Sequence, residues 1–238
     1  MSQSSAPIQK AAVIDVGSNT IKILAGEKTP TGLSILFDQT AECRISAGMY
    51  SDPPQFTANS MEAASLAIRD LLEQVKHLDL DKVEILSTSA VRDAENREVF
   101  ANLVTEKTGH PLLILSGTEE AQGIANGIAQ EPSIDAKAPY SISDLGGGSL
   151  EWIFRNEGQI EHITSMQLGA VRLMNQYVPD PMSPLTDEAK QSIRSHCLAS
   201  YREFLPQTAL PSGSSHWGTG GAFTITRLLL ATEKGIPL

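Results

Sequence analysis

Apolar positions along this chain recur with two periods, and the switches between them divide it into elements. Residues 11–16 form a strand-like run that ends in Asp15-Val16-Gly17-Ser18-Asn19, and a second apolar run, 21–25, follows after a tight turn. A third strand is expected at 33–37, after the turn Thr29-Pro30-Thr31-Gly32. Residues 41–56, with Gly48, Asp52, Pro53 and Pro54, read as a loop. Ala64, Ile68, Leu71, Leu72 and Val75 share one face of a helix over 57–76. A short strand at 83–86 precedes a helix over 93–108, with Val99, Phe100, Leu103 and Val104 inward and Gly109 as its stop. A strand at 112–115 and a helix from Gly117 to Ala129 close this part.

The opening pattern then returns. Residues 140–144 form a strand-like run into Asp144-Leu145-Gly146-Gly147-Gly148-Ser149, and strands are expected at 150–154 and 160–166. Helices follow near 169–178 and 186–204. The second opens with Thr186-Asp187-Glu188 and turns Ile193, Cys197, Leu198 and Tyr201 inward. His216-Trp217-Gly218 leads into Gly220-Gly221 and a last helix, 222–232. The two Asp-x-Gly turns are 129 residues apart, so the chain reads as a duplicated α/β unit. Near 125–138, Glu131-Pro132-Ser133 and Lys137-Ala138-Pro139 read as a hinge, which divides the chain into 1–128 and 129–238.

Composition narrows the function. At 41% apolar and 19% charged residues, 238 residues can build real cores. No stretch approaches the ~20 apolar residues of a membrane span, and residues 1–9 are Ser-rich and polar without an apolar signal core, so a frayed tail and a cytoplasmic location are expected. A net charge of −10 argues against a nucleic-acid partner, which needs a broad basic face. Cys43 and Cys197 lie outside any CxxC pair and are expected to be free thiols. The five histidines lack metal-ligand spacing, and there is neither a P-loop nor a GxSxG elbow. Trp152 and Trp217 are expected to pack rather than to stack on a ligand.

A strand ending in Asp-x-Gly before a tight turn suits a phosphate. Glycine lets the backbone approach oxygen atoms and turn N–H groups toward them, and the aspartate stands where a Mg²⁺ ion or its water shell would bridge protein and phosphate. One such turn is equally an ordinary hairpin. Two at matched positions in duplicated halves point to phosphate bound across an interdomain cleft.

The segments Asp15-Val16-Gly17-Ser18-Asn19, Asp144-Leu145-Gly146-Gly147-Gly148-Ser149-Leu150-Glu151 and Gly218-Thr219-Gly220-Gly221 resemble the phosphate motifs of the Ppx/GppA phosphatases. Residues 88–96, 116–121 and 168–173 resemble further motifs of that family, in order along nearly the whole chain. The resemblance implies a two-domain, actin-like ATPase fold, ribonuclease H-like and duplicated, with its site in the cleft. It implies removal of terminal phosphates from inorganic polyphosphate or guanosine pentaphosphate (pppGpp) by Mg²⁺-dependent attack of water. By the same carry-over Glu120, directly before Ala121, is the general base, and Arg92 clamps a phosphate with its planar fork of donors. Asp15, Asp144 and Glu151 hold or orient the metal ion, and Gly17, Ser18, Asn19, Gly146, Gly147, Gly148, Ser149 and Gly220 surround the phosphate oxygens. Arg172 is expected to be a structural ion-pair partner.

Bland alternatives stand beside these roles. Glu119 and Glu120 also suit a solvated first helical turn, Arg92 a surface ion pair with Asp93 or Glu95, and Glu151 an outward strand position. Family members carry Thr where Leu150 and Ala222 stand, and run on for some tens of residues past the last glycine motif, so the second domain is expected to be short. A catalytically weak polyphosphate or (p)ppGpp sensor and a kinase of the same superfold are the competing functions; a homodimer is compatible with each.

Overall fold

In the computed structural model, residues 9–30, 32–47, 53–206 and 209–236 are described. Residues 1–8 of the expected tail, Thr31 of the expected turn, and Gly48 and Asp52 of the expected loop lie outside them. The chain forms two compact units, 1–115 and 116–238.

The first unit contains β1 (Lys10–Val16), β2 (Thr20–Thr29), β3 (Gly32–Glu42), α1 (Ala58–Val75), β4 (Lys82–Ser87), α2 (Ser89–Asp93), α3 (Arg97–Thr108) and β5 (Leu112–Ile114). Its sheet has the order β3-β2-β1-β4-β5. The first three strands are antiparallel neighbours, whereas β4 runs parallel to β1 and β5 parallel to β4. Strand alternation sends Ala12, Ile14 and Val16 of β1 and Ile21, Ile23 and Ala25 of β2 to one face, where α1 and α3 cover them through Ala64, Ile68, Leu71, Phe100 and Val104. Each fully buried Ile contributes about 1.5–3 kcal/mol over its exposed state.

The second unit contains α4 (Gly117–Ile128), β6 (Tyr140–Leu145), β7 (Leu150–Asn156), β8 (Gln159–Met166), α5 (Ala170–Tyr177), α6 (Asp187–Phe204), β9 (Ser215–Thr219) and α7 (Gly221–Lys234). Its sheet order, β8-β7-β6-β9, repeats β3-β2-β1-β4 strand for strand, with β9 parallel to β6. The internal duplication expected from the two Asp-x-Gly turns is therefore present in the topology.

The observed division falls at 115/116, earlier than the expected 128. The reason is packing: Ala121 and Ala125 of α4 are wholly buried against Tyr140, Ile142 and Ile153 of the second sheet. Arg155 ties the same helix down by donating from Nη1 to the Ala125 carbonyl at 3.0 Å.

Three helix readings need correction. The expected helix over 93–108 is interrupted at 94–96, where Ala94 is extended (ψ 130°). Asn96 instead bonds the Phe56 backbone in both directions, accepting from its N–H at 3.0 Å and donating to its carbonyl at 2.9 Å. Val99, expected inward, is exposed, while Phe100 and Val104 are buried. Leu198 and Tyr201 of α6 are also exposed, and α6 contributes no fully buried residue. Trp152 is buried beside Leu150, Phe154, Met166 and Leu168, and Trp217 packs against the α4-facing core, as expected. Both cysteines are free, and among the described residues no helix is long and apolar enough to cross a membrane.

Candidate functional site

Each unit carries one half of the predicted constellation, and the halves are built alike. In the first, β1 and β2 pair through Val16 and Ile21, and the Gly17 N–H donates to the Thr20 carbonyl at 3.0 Å. This closes a hairpin whose two-residue loop is Ser18-Asn19. In the second, β6 and β7 pair through Leu145 and Leu150, and the Gly146 N–H donates to the Ser149 carbonyl at 3.1 Å around the loop Gly147-Gly148. Gly17 and Gly146 thus spend their amides on closing the hairpins. The donors left for an anion are those of the loops themselves: among the described residues, no backbone carbonyl takes the N–H of Ser18, Asn19, Gly147 or Gly148.

The carbonyls of both loops are bonded from behind. The Ser18 carbonyl accepts from the Ser46 N–H at 3.2 Å and from its hydroxyl at 2.9 Å, and the Asn19 carbonyl accepts from the amides of Cys43 and Arg44 at 3.0 and 2.8 Å. The Gly146 carbonyl accepts from Ala170 at 2.9 Å, and the Gly147 carbonyl from Val171 and Arg172 at 2.9 and 3.1 Å. Peptide planes fixed this way turn their N–H groups to the opposite side, the geometry of an anion-binding concavity. Ser18 and Ser149 are both nearly buried.

Two residues before each closing glycine stands the aspartate. Asp15 is largely buried, and its Oδ1 has no hydrogen-bond partner among the described residues. Burial raises its pKa above the ordinary carboxylate value, with Lys22, its cross-strand neighbour, acting in the opposite sense. Asp144 lies directly opposite Glu151 across the β6–β7 ladder, so their side chains share a face. Glu151 is only 1% exposed, which rules out the outward reading, and its Oε1 accepts from the Ser165 hydroxyl at 2.7 Å. Gly220, at φ +90°, closes against this pair. A Cβ there would lie 2.5 Å from Asp144 Oδ1 and from the Leu145 carbonyl oxygen.

These carboxylates fit Mg²⁺. Asp15 offers an unpartnered buried oxygen, and Asp144 and Glu151 place two carboxylates on one rung. Among the described residues no three His, Cys, Asp or Glu side chains form a metal-holding group. Mg²⁺ is usually held by one or two carboxylates and completes its shell with water and phosphate oxygens.

The two glutamates at the start of α4 are separated by capping. Ser116 and Glu119 form a reciprocal box: the Glu119 N–H donates to Ser116 Oγ at 3.2 Å, while Glu119 Oε2 accepts from the Ser116 N–H at 2.8 Å and its hydroxyl at 2.7 Å. These bonds hold the Glu119 carboxyl below its ordinary pKa. Glu119 is therefore the solvated first-turn residue. Glu120 takes no part in the box and is half-buried beside Ala121, which packs on the same sheet face as Asp144 and Glu151.

Arg92 lies in the last turn of α2, and its Nη1 donates to the Leu115 carbonyl at 2.8 Å, so the guanidinium is anchored to the residue after β5. Leu150 is buried in the opposite layer, with Trp152 and Phe154, so the hydroxyl missing there points away from the Asp144 face. Sequence reading missed Ser165, Ser46 and Gly169. Their roles depend on the β7–β8 register and on which segments return behind the loops, for which no local motif exists.

The sequence pattern of the Ppx/GppA phosphatase family matches residues 24–235. Among solved structures, the chain is similar to an exopolyphosphatase from Cytophaga hutchinsonii, with a TM-score of 0.83 at 19% identity over 97% of this chain and 72% of that one. It is similar to an exopolyphosphatase-like protein, with a TM-score of 0.78 at 24% identity over 96% and 70% of the two chains. It is also similar to the Ppx/GppA family member of Aquifex aeolicus, with a TM-score of 0.75 at 18% identity over 95% and 71%. The fold is that of the actin-like ATPases, in two duplicated units.

Proposed function

Because the chain belongs to the Ppx/GppA phosphatase family, we propose that it is a phosphohydrolase that removes terminal phosphates from inorganic polyphosphate or pppGpp by attack of water. The observation that carries this reading is the repeated hairpin: two loops, each backed by bonded carbonyls, each offering amides to an anion and each preceded by an aspartate.

In this reading the Ser18-Asn19 and Gly147-Gly148 amides, with Ser149, bind phosphate oxygens. The Arg92 guanidinium, already oriented by the Leu115 carbonyl, directs its planar fork of donors at a second oxygen pair. Glu120 accepts a proton from the attacking water and orients it. Phosphoryl transfer asks the protein mainly for such positioning and for neutralised charge. Asp15 and Asp144 would each offer a carboxylate to Mg²⁺, and Glu151, fixed by Ser165, would orient Asp144. Bound Mg²⁺ supplies charge neutralisation at the phosphate oxygens. It also accounts for a polyanion binding to a chain of net charge −10, since the positive potential is confined to the loops, the ion and Arg92.

The test is phosphate release from polyphosphate and from pppGpp, with Mg²⁺ and with a chelator, by the parent protein and by Glu120→Gln. A fall of about 100-fold or more in the variant, with binding retained, is expected of a lost acid–base group. Tight binding of either substrate without release by the parent protein would replace the hydrolase with a sensor.

A further inference from the structure

The glycine hairpin of the second unit is held by more than its own turn. Behind it the chain returns as α5, whose first amides donate to the loop's carbonyls: Ala170 to Gly146, then Val171 and Arg172 to Gly147. The third carbonyl, that of Gly148, has no amide left in this row. It is taken by a side chain, Arg172 Nε, at 2.7 Å. The approach is so close that a Cβ on Gly169, the N-cap of α5, would collide with the Gly147 carbonyl oxygen and the Gly148 backbone. The first unit does the same with different parts. There the segment 43–46 bonds the Ser18 and Asn19 carbonyls using three amides and the Ser46 hydroxyl.

We infer that Arg172 is a positioning residue for anion binding: by holding the Gly148 carbonyl it fixes the Gly148-Ser149 peptide plane and turns the Ser149 amide toward the phosphate, completing the row that the α5 amides set for Gly147 and Gly148, without touching the phosphate itself. Glycine makes the lock necessary. A Gly-Gly-Gly run reaches backbone conformations closed to other residues, and an unheld loop would spread its amides over many orientations. A bond to each carbonyl, the last from a charged donor, fixes the peptide planes before ligand arrives, so the ordering is not taken from the binding free energy. The lock also polarises the amides, because the Arg172 guanidinium and the start of α5 both place positive charge behind the loop. This inference rests on the phosphate-binding part of the proposed function and does not depend on hydrolysis.

The test uses the 238-residue chain, tripolyphosphate as probe, and the variants Arg172→Lys and Arg172→Met. Binding is read by calorimetry, folding by thermal denaturation, and loop geometry by the amide resonances of Ser149 and Asn19 in the ligand-free protein. Lysine keeps the charge but loses the planar Nε donor; methionine loses both. Both variants are expected to bind tripolyphosphate about tenfold more weakly, as expected for one orienting hydrogen bond lost. Both should shift or broaden the Ser149 resonance, leave that of Asn19 in place and melt near the parent. Parent-like affinity in Arg172→Lys alone would reduce the role to charge and overturn the lock. Parent-like affinity and resonances in both variants would also overturn it, as would weakened binding that merely follows a collapse of the melting transition. A parent protein that fails to bind tripolyphosphate would sink the proposed function, while the Ser149 resonance would still decide whether Arg172 holds the loop.

Discussion

Gly220 offers the most exposed test of how the second half of the site is assembled. It links the end of β9 to the start of α7 at φ +90° and ψ 170°, a region that only glycine occupies without strain. In Gly220→Ala the backbone conformation alone is worth of order 1–3 kcal/mol of strain. The added methyl must also displace Asp144 Oδ1 and the Leu145 carbonyl, each only 2.5 Å away, an overpacking effect of roughly 1–3 kcal/mol more. Together these predict a loss of about 2–6 kcal/mol, which for a chain of this size lowers the melting temperature by roughly 5–20 °C. Gly221→Ala is the matched control: it is the first residue of the same helix, and a Cβ there meets nothing within 4 Å. Its effect should stay within about 0.5 kcal/mol. Melting followed by circular dichroism separates the two. Phosphate release then asks a second question, since an aspartate moved by about 1 Å at a reacting centre can lower the rate by roughly 100-fold. A Gly220→Ala protein that melts with the parent would refute the packing argument. One that melts early but releases phosphate at the parent rate per folded molecule would remove Asp144 from the reacting centre.

Other outcomes follow from single features. Ser116→Ala should lower stability by about 1 kcal/mol through loss of the N-cap, seen as a melting shift of roughly 2–4 °C, whereas Glu120→Gln should leave melting unchanged and abolish most phosphate release. Asp15 has a folded-state pKa above its ordinary value, so the folded protein binds more protons than the unfolded chain, and this residue's contribution to stability falls as pH rises from about 4. Asp15→Asn should therefore melt above the metal-free parent at neutral pH, and the gain should vanish below about pH 4; an equal gain at every pH would reject burial of the charge as its cause. Gly123 and Gly127 lie on α4 where an added methyl group would meet nothing within 4 Å. Alanine at either should raise stability by about 0.5–1 kcal/mol, measured by urea denaturation.

Much of this was legible in the residues because it is local. Asp-x-Gly between two apolar runs marks both hairpins, and Thr186-Asp187-Glu188 marks the start of α6, where Thr186 caps the Ala189 N–H. What escaped is non-local. The run from Asp93 to Thr108 has helical periodicity throughout, but Asn96 breaks it to bond Phe56, a residue 40 positions away. Glu119 and Glu120 look equivalent in a row of polar letters, and only the capping geometry separates them. For Glu151 an outward strand position stays open beside the metal-side role until its opposite numbers, Asp144 and Ser165, are known from the registers on both sides. The pinned carbonyls behind each loop were invisible for the same reason: they are set by chain returning from 24 to 28 residues later.

Helix α4 begins just after Leu115, where the second unit starts. For exchange of segments between relatives, this makes 115/116 the seam along which the candidate site residues divide. A chimaera joined there passes on Glu120, Asp144, Glu151 and the Gly147-Gly148 loop as one piece, already fitted to one another through Ala121, Ala125 and the second sheet. Arg92 and the Ser18-Asn19 loop travel with the other parent. A graft joined at 128 would bring a foreign helix onto Ile142 and Ile153 and separate Glu120 from the sheet that carries Asp144 and Glu151. In the proposed reading, recombination at the earlier seam exchanges one phosphate-binding hairpin together with Arg92 and leaves Glu120 and the second hairpin in one piece.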